Sequence, residues 1–330
     1  MIEQKTVHGH AALSLENDHL RVVVLPEKGG DIFEFAYKKT PASASVQCLM
    51  RTPWGLHPPG EGAPRDFLDN YEGGWQELFP NANDGCQYHG VDIPFHGEVA
   101  LERWEYKIPP SPPGEALLYL RVDCRKTPFR LERAMRLRPG ESRLIVREKV
   151  TNVGSAPCDF VWGHHITLGG DLLEEGCQLD IPAHTWYTPE VLYEPLTARL
   201  QPGRSGEWPF APSRDGTAID LRHIPGPHCR SHDDVILGGL ERGFYRVRNP
   251  RLNLAFSLEW DSSVFPWLML WQPYGGADLP PLTGIYGIGL EPWVSRYPLA
   301  KAVEAGQARR LEAGESLETE LIAAVEPAFS

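Results

Sequence analysis

Short runs of apolar or alternating residues, each of strand length and bounded by turn-forming residues, recur along the whole chain. Alternation with a period of two is typical of half-buried β-strands, and short continuous apolar runs between turns are typical of buried ones. The pattern therefore predicts an all-β fold. The predicted strands cover residues 20–25, 31–37, 117–122, 131–137, 144–150, 235–237, 243–247, 252–260, 267–271 and 316–325.

The first two of these runs are separated by a turn-forming segment that contains Pro26, Gly29 and Gly30, which predicts an N-terminal hairpin. The 32 glycines and 31 prolines are spread along the chain rather than gathered in one linker. A chain of 330 residues can form one large all-β domain or two ordinary ones. Because no clean boundary is visible, we predict a single domain over residues 1–330.

Residues 51–98 are rich in proline and glycine, with aromatic residues between them. Such a stretch is predicted to form neither a regular helix nor a central strand. Long irregular loops in compact domains are usually functional. Aromatic residues in this loop could therefore stack on a ligand or fill the core; they include Trp54, Phe67, Trp75 and Phe79.

The formal net charge of -12 and the absence of any basic run argue against nucleic acid and against anionic membranes as partners. Residues 1–15 have no continuous apolar stretch of signal-peptide length, and no later segment is long and apolar enough to span a membrane. We therefore expect a cytoplasmic protein. The six cysteines lack Cys-x-x-Cys spacing, so we expect them to be reduced and structural.

Three polar landmarks lie next to strand-like apolar runs: His96 before a glycine, the adjacent pair His164 and His165, and Glu291 before Pro292. Imidazole and carboxylate side chains are the usual groups of general acid and base catalysis. A fold that gathers these landmarks would place them around one pocket. Such a pocket would suit proton transfer on a sugar.

The order and spacing of five motifs resemble those of the aldose 1-epimerase (galactose mutarotase-like) superfamily. The resemblance runs through most of the chain and implies a β-supersandwich of large, mainly antiparallel sheets, with a sugar in a cleft on one of them. It also implies a reaction without a cofactor. The motifs are the hairpin of residues 20–37, Phe79-Pro80-Asn81, Pro94-Phe95-His96-Gly97, the strand of residues 150–154 followed by Trp162-Gly163-His164-His165, and Gly289-Leu290-Glu291-Pro292.

The resemblance implies that Glu291 is the general base, that His165 is the general acid, and that His96 binds sugar hydroxyls near the ring oxygen. It also implies an aspartate that holds sugar hydroxyls, for which Asp233 is the nearest match, with Asp234 as the alternative. The implied ligand is a free, small-molecule sugar, bound by a monomer or a homodimer.

Four further residues are candidates for sugar contact. Trp271 and Gln272 end an apolar run and could stack on a sugar and bond to it, although Trp271 could equally be a core residue. Trp75 is a weaker candidate of the same kind. Asn81 is a candidate through its place in the Phe-Pro-Asn motif.

Neighbouring residues of a strand point to opposite faces, so only one of His164 and His165 can face a cleft, and we favour His165. The same alternation argues against a metal site. His96, His164, His165 and Glu291 would make a plausible set of nitrogen and oxygen ligands, but the adjacent rings point apart. We therefore expect no catalytic metal.

Two departures from the family pattern affect the expected substrate. Asn83 and Asp84 stand where mutarotases usually have an arginine, and Ile166 replaces a proline after the catalytic histidine. A phosphorylated sugar is disfavoured by the net charge and by Asp84, although a local anion site could still be formed by Arg51, Arg65 or Arg296. Because fold does not fix function, a non-catalytic carbohydrate-binding protein is the alternative hypothesis.

Overall fold

A computed structural model gives the architecture of the chain and describes residues 1–41, 43–59, 66–278 and 280–329. Strands dominate it, which confirms the all-β prediction. The helical elements are α1 (Leu299–Glu304) and two single 3-10 turns, Val99–Leu101 and Pro227–Cys229. The strands are β1 (Ile2–Val7), β2 (His10–Glu16), β3 (Leu20–Leu25), β4 (Asp31–Lys38), β5 (Ser45–Gln47), β6 (Trp75–Leu78), β7 (Cys86–Tyr88), β8 (Val91–Ile93), β9 (Glu105–Lys107), β10 (Ala116–Asp123), β11 (Phe129–Leu137), β12 (Arg143–Asn152), β13 (Cys158–Phe160), β14 (Gly163–Leu168), β15 (Gln178–Asp180), β16 (Thr185–Tyr187), β17 (Ser205–Glu207), β18 (Phe210–Pro212), β19 (Ala218–Asp220), β20 (Ser231–Gly238), β21 (Gly243–Asn249), β22 (Leu254–Trp260), β23 (Trp267–Tyr274), β24 (Ile288–Trp293), β25 (Arg309–Leu311) and β26 (Ser316–Glu326).

The larger sheet contains twelve strands in the order β1-β2-β3-β4-β6-β14-β24-β23-β20-β16-β17, with β5 paired to β4 beside this path. Its strands pair in antiparallel fashion. The predicted N-terminal hairpin is confirmed, because β3 pairs with β4 from Leu20 opposite Tyr37 to Leu25 opposite Asp31. A register shift at Val23 and Val24 interrupts this pairing.

The smaller sheet contains eight strands in the order β15-β21-β22-β26-β12-β11-β10-β9. Its strands β10 to β12 alternate between buried and more exposed residues, as expected when one face of a sheet covers a core and the other faces water. The two sheets pack face to face, since the rings of Phe35 on β4 and Phe256 on β22 lie 5.4 Å apart. The result is a sandwich of large antiparallel sheets.

The prediction that residues 51–98 contain no central strand is wrong. Strand β6 (Trp75–Leu78) is fully buried and lies between β4 and β14 in the larger sheet. The segment contains neither proline nor glycine, and the residues that suggested a loop, such as Gly74 and Pro80, flank it. The strand is too short for its pattern to stand out. Within this region, residues 60–65 lie outside the described residues.

Strands β14 and β24, near the middle of the larger sheet, are buried along their whole length. Because successive side chains point to opposite faces, each strand sends half of its residues toward the smaller sheet and half toward the other side. Loops cover that other side, and the candidate site lies beneath them. In the described part of the chain, no helix combines the length and the apolar character that crossing a membrane would require.

Candidate active site

A pocket of about 410 Å³ lies on the face of the larger sheet that points away from the smaller sheet. Four adjacent strands form its floor, and loops from distant parts of the sequence form its walls. The floor residues are His165 on β14, Glu291 and Trp293 on β24, Met269 and Trp271 on β23, and Asp234 and Ile236 on β20. The loop residues are Phe67, Leu68, Tyr71, Asn83, Asp84, Phe95, His96, Pro189, Val191, Leu192, Tyr193 and Leu282.

Sheet register places the polar floor residues side by side. Met269 lies opposite both Glu291 on β24 and Ile236 on β20, so these three form one row across the sheet. Trp271 lies opposite Asp234 in the next row. Trp271 thus lies on the strand between the two strands that carry Glu291 and Asp234, and its indole provides an apolar face on which a sugar ring could stack.

His165 and Glu291 form the central pair of the pocket. The imidazole Nε2 of His165 lies 3.5 Å from Oε1 of Glu291. A side chain at Gly289 would collide with this arrangement, because a Cβ atom there would be 2.5 Å from Oε1 of Glu291 and 2.9 Å from Cβ of Trp271. The glycine of the Gly-Leu-Glu-Pro motif therefore leaves the space that the carboxyl group occupies.

A chain of hydroxyl groups holds the other edge of the His165 ring. Nδ1 of His165 lies 3.3 Å from the hydroxyl oxygen of Thr167, which in turn is 2.7 Å from the phenol oxygen of Tyr71. Both contacts are buried. The hydroxyl groups of Thr167 and Tyr71 thus fix the ring of His165 so that its Nε2 faces Glu291 and the pocket.

His96 reaches the pocket from a strained turn. Its φ of 60° lies in the left-handed region, and the next residue, Gly97, has a φ of 79° and would place a Cβ atom 2.2 Å from the carbonyl oxygen of Phe79. Nδ1 of His96 lies 3.1 Å from the carbonyl oxygen of Ala82 and donates to it, since a carbonyl can only accept. Nε2 is therefore the acceptor, available to a sugar hydroxyl.

Burial controls the protonation of these groups. It raises the pKa of Glu291 well above its ordinary value; the charge of Asp234 adds to this rise, and the indole of Trp293 opposes it. Burial lowers the pKa of His165 to about 3. Burial and the neighbouring His165 hold the pKa of His96 well below its ordinary value. In the unliganded pocket both groups of the central pair are therefore uncharged: Glu291 is a protonated acid and His165 is a neutral imidazole.

Of the eight residues that the sequence suggests for the site, four line the pocket: Glu291, His165, His96 and Trp271. Asp233 and Gln272 do not, because each sits next to a residue that does and therefore points the other way. The carboxylate of Asp233 accepts from Nε of Arg199 at 2.6 Å, and Oε1 of Gln272 accepts from the same guanidinium at 3.0 Å.

The alternative aspartate, Asp234, is the one that lines the pocket. Asn81 is fully buried, and its amide donates to the carbonyl oxygens of Asn83 and Asp84 at 2.8 and 2.7 Å. Trp75 is also fully buried, and its indole N–H donates to Nδ1 of His164 at 3.1 Å. Asn81 and Trp75 thus support loops and core rather than line the pocket.

His164 points into the space between the two sheets and joins a buried polar network there. Its Nε2 lies 3.1 Å from Oε2 of Glu148. Arg133 donates to Glu148 at 2.7 Å, to the carbonyl oxygen of Gly30 at 2.8 Å, and to Glu77. The ligand set considered for a catalytic metal therefore does not converge, since His164 lies on the other side of the strand from the remaining three residues.

Within this network Glu77, Glu148 and His164 have ligand atoms that all lie within 4.8 Å of one another, a geometry that could hold a metal ion. The guanidinium of Arg133 already bonds both carboxylates, however. The network therefore already contains a positive charge that is bonded to both carboxylates.

None of the three arginines that could form an anion site is seen in the pocket: two of them stack on aromatic rings, and the third is not among the described residues. Arg51 lies 3.3 Å above the ring of Phe33, and Arg296 lies 4.4 Å above the ring of Tyr187. Arg65 is outside the described residues. Of the residues that the structure describes, no lysine or arginine lines the pocket.

Several residues that line the pocket or hold its histidine were not predicted from the sequence. Tyr71 and Thr167 have no motif of their own, although Tyr71 lies in the aromatic loop that was expected to be functional. Leu192 and Tyr193 come from a loop far away in sequence, and nothing in its pattern indicates a role. Only the fold shows that these segments meet.

The overall structure is similar to several solved structures at low sequence identity. A proposed aldose 1-epimerase from Klebsiella pneumoniae is 18% identical, with a TM-score of 0.72 over 99% of this chain and 84% of that one. A proposed aldose 1-epimerase from Escherichia coli is 18% identical, with a TM-score of 0.64 over 95% of this chain and 98% of that one. A galactose mutarotase-like protein from Clostridium acetobutylicum is 15% identical, with a TM-score of 0.64 over 99% of this chain and 98% of that one.

These similarities establish the galactose mutarotase-like fold for this chain, as the sequence motifs implied. No protein-family model matches the sequence, and no functionally curated protein matches it. The chain is therefore a divergent example of that fold.

Proposed function

We propose that the protein is an aldose 1-epimerase-like isomerase, which interconverts the anomers of a free sugar by opening and closing the sugar ring. The observation that carries the proposal is the buried pair of His165 and Glu291, 3.5 Å apart in a pocket with an aromatic floor. The names of the structurally similar proteins from Klebsiella pneumoniae and Clostridium acetobutylicum support the same reaction class.

Ring opening transfers two protons. The carboxylate of Glu291 takes the proton of the anomeric hydroxyl, and the imidazolium of His165 gives its proton to the ring oxygen as the bond between C1 and that oxygen breaks. The product is the open-chain aldehyde. Rotation about the bond from C1 to C2 and the reverse transfers then close the ring to the other anomer, and the pair ends in its starting state.

The pair needs one proton, and that proton must be on His165 when the ring opens. In the unliganded pocket it sits on Glu291, because burial penalises both charged forms. A sugar hydroxyl that donates to the carboxylate favours its ionised form. The proton then passes to His165 as the two groups close from 3.5 Å to hydrogen-bond distance, a tightening that is common when a substrate binds.

The remaining pocket residues suit a sugar. Trp271 and Phe67 offer apolar ring faces, and the free Nε2 of His96 can accept from a hydroxyl. Oε2 of Glu291 is buried and has no hydrogen-bond partner among the described residues, so it is available to a ligand. The same features would also serve a carbohydrate-binding protein without activity, but binding alone does not call for an acid and a base in contact.

Polarimetry on freshly dissolved aldoses tests the proposal. Catalytic amounts of the protein should accelerate the approach to anomeric equilibrium for at least one sugar of a panel of hexoses, pentoses and amino sugars. Binding of these sugars by calorimetry without any acceleration would favour the non-catalytic alternative. If the protein neither binds nor accelerates any of these sugars, the proposal is refuted for that panel.

The space at Gly289 gives a first prediction. Gly289→Ala places a methyl group against Oε1 of Glu291 and should displace the carboxyl group by a few tenths of an ångström or more. Because small misplacements of catalytic groups are costly, kcat should fall on the order of a hundredfold. Circular dichroism and thermal melting should show that the fold persists. A variant with an unchanged rate would contradict the proposed position of Glu291.

The pH dependence gives a second prediction. Activity needs one proton on the pair, so it is lost below the pKa of His165, about 3, and above the raised pKa of Glu291. We therefore expect kcat/KM to be level across the pH range in which an ordinary glutamate titrates, and to fall only as the pH rises through the raised pKa of Glu291. An acid limb centred near pH 4.5, the ordinary pKa of a glutamate, would contradict this account.

A further inference from the structure

The described side chains that line the pocket bring acidic groups and no lysine or arginine. Asp84 and Asp234 line it together with Glu291, and no lysine or arginine of the described chain does so. Tyr193 lines the same pocket as both aspartates. Burial raises the pKa of Tyr193, and the charges of Glu194, Asp234 and Asp84 add to that rise.

No described cation neutralises Asp234. The nearest imidazole nitrogen, Nε2 of His232, is 3.7 Å away and accepts the indole N–H of Trp271 at 2.7 Å. A nitrogen that accepts a hydrogen bond carries no proton, so it cannot donate to Asp234. The guanidinium of Arg199, on the adjoining loop, is bonded to Asp233 and Gln272 instead.

The pocket thus presents three acidic groups without a described cationic partner, one of them the buried Glu291 with an unbonded oxygen. Only 14% of the Asp234 side chain is exposed, so its charge is partly desolvated. A partly buried anion is stabilised most by a ligand that brings its own positive charge and an N–H donor.

We infer that the pocket is selective for a sugar that carries a protonated amine, with Asp234 as the residue that determines this preference. This inference rests on the proposed function and adds the substrate class. Asp84, at the exposed mouth, contributes attraction to the same charge. A phosphorylated or carboxylated sugar would meet repulsion from Asp84 and Asp234.

The test compares three sugars that share one ring: glucosamine, N-acetylglucosamine and glucose 6-phosphate. At mildly acidic pH the first carries a positive charge, the second is neutral, and the third is negative. Polarimetry or NMR gives kcat/KM for anomer interconversion of each. We expect kcat/KM for glucosamine to be about tenfold higher than for N-acetylglucosamine, the usual effect of a hydrogen bond to a charged group. We expect glucose 6-phosphate to have the lowest kcat/KM of the three.

Asp234→Asn keeps the shape and removes the charge, so it should reduce the ratio of glucosamine to N-acetylglucosamine to near one. Glu318→Gln makes the same chemical change at a side chain that is 74% exposed and far from the pocket, and it should leave the ratio unchanged. Equal or better turnover of the neutral or the phosphorylated sugar by the wild-type protein would overturn the inference while leaving the isomerase proposal intact.

If the protein accelerates none of the three sugars, the isomerase proposal fails separately, and calorimetry still decides the selectivity. Tighter binding of glucosamine than of N-acetylglucosamine, lost in Asp234→Asn, would support the inference. Equal binding, preference for another sugar, or no binding of glucosamine would overturn it.

Discussion

Replacing Glu291 by glutamine is expected to lower the rate of anomer interconversion by about two to four orders of magnitude, the usual contribution of a positioned general base. Glutamine fills the same space but cannot take a proton from the anomeric hydroxyl. It can still form hydrogen bonds, so sugar binding measured by calorimetry should change little. The loss should therefore appear in kcat rather than in KM.

The control is Glu318→Gln, the same substitution at an exposed position of β26, which should match the wild-type rate. A Glu291→Gln protein that retains the wild-type rate would remove Glu291 from the mechanism. If binding were lost together with activity, Glu291 would be assigned to sugar binding instead of proton transfer.

Replacing Arg133 by leucine is expected to lower the free energy of unfolding by about 3–5 kcal/mol, because removing one partner of a buried ionic network leaves the others uncompensated. Arg133 is 1% exposed and is bonded to Glu77 and Glu148 between the two sheets. Burial and the charge of Glu148 already raise the pKa of Glu77 to about 7. Urea unfolding at neutral pH measures the loss.

Arg147→Leu is the matched control, since this arginine pairs with Glu320 at the surface with 69% of its side chain exposed. Exposed ion pairs contribute less than about 1 kcal/mol. The loss of stability in Arg133→Leu should also shrink at lower pH, because the two carboxylates that no longer bond the guanidinium take up protons and lose their charge. A loss no larger than that of Arg147→Leu would show that the network does not hold the sheets together.

The sequence predicted most of the fold because strands of six to eleven residues carry clear alternation, as β10 to β12 and β26 do. It failed at β6, whose four residues are too few to show a period. The order of strands in a sheet depends on contacts between residues far apart in sequence. Local pattern therefore could not place β6 between β4 and β14.

The sequence also predicted correctly which motifs meet at the site. It was a poorer guide to which of two adjacent residues faces the pocket. Alternation gives opposite directions to His164 and His165, and to Asp233 and Asp234, but does not say which member faces the pocket. The surrounding pattern could not decide for the aspartates, since β20 is buried on both faces for most of its length. The wall formed by Leu192 and Tyr193 depends on a loop whose position only the assembled fold defines.

Exchange of magnetisation between the α and β anomeric protons of a sugar at equilibrium measures ring opening and closure most directly. With the wild-type protein, we predict an exchange rate that rises in proportion to protein concentration for at least one aldose. With Glu291→Gln, the acceleration over buffer should be smaller by about two to four orders of magnitude. Exchange at the buffer rate for every sugar that the wild-type protein binds, or equal acceleration by the variant, would contradict the assignment of His165 and Glu291 as the catalytic pair.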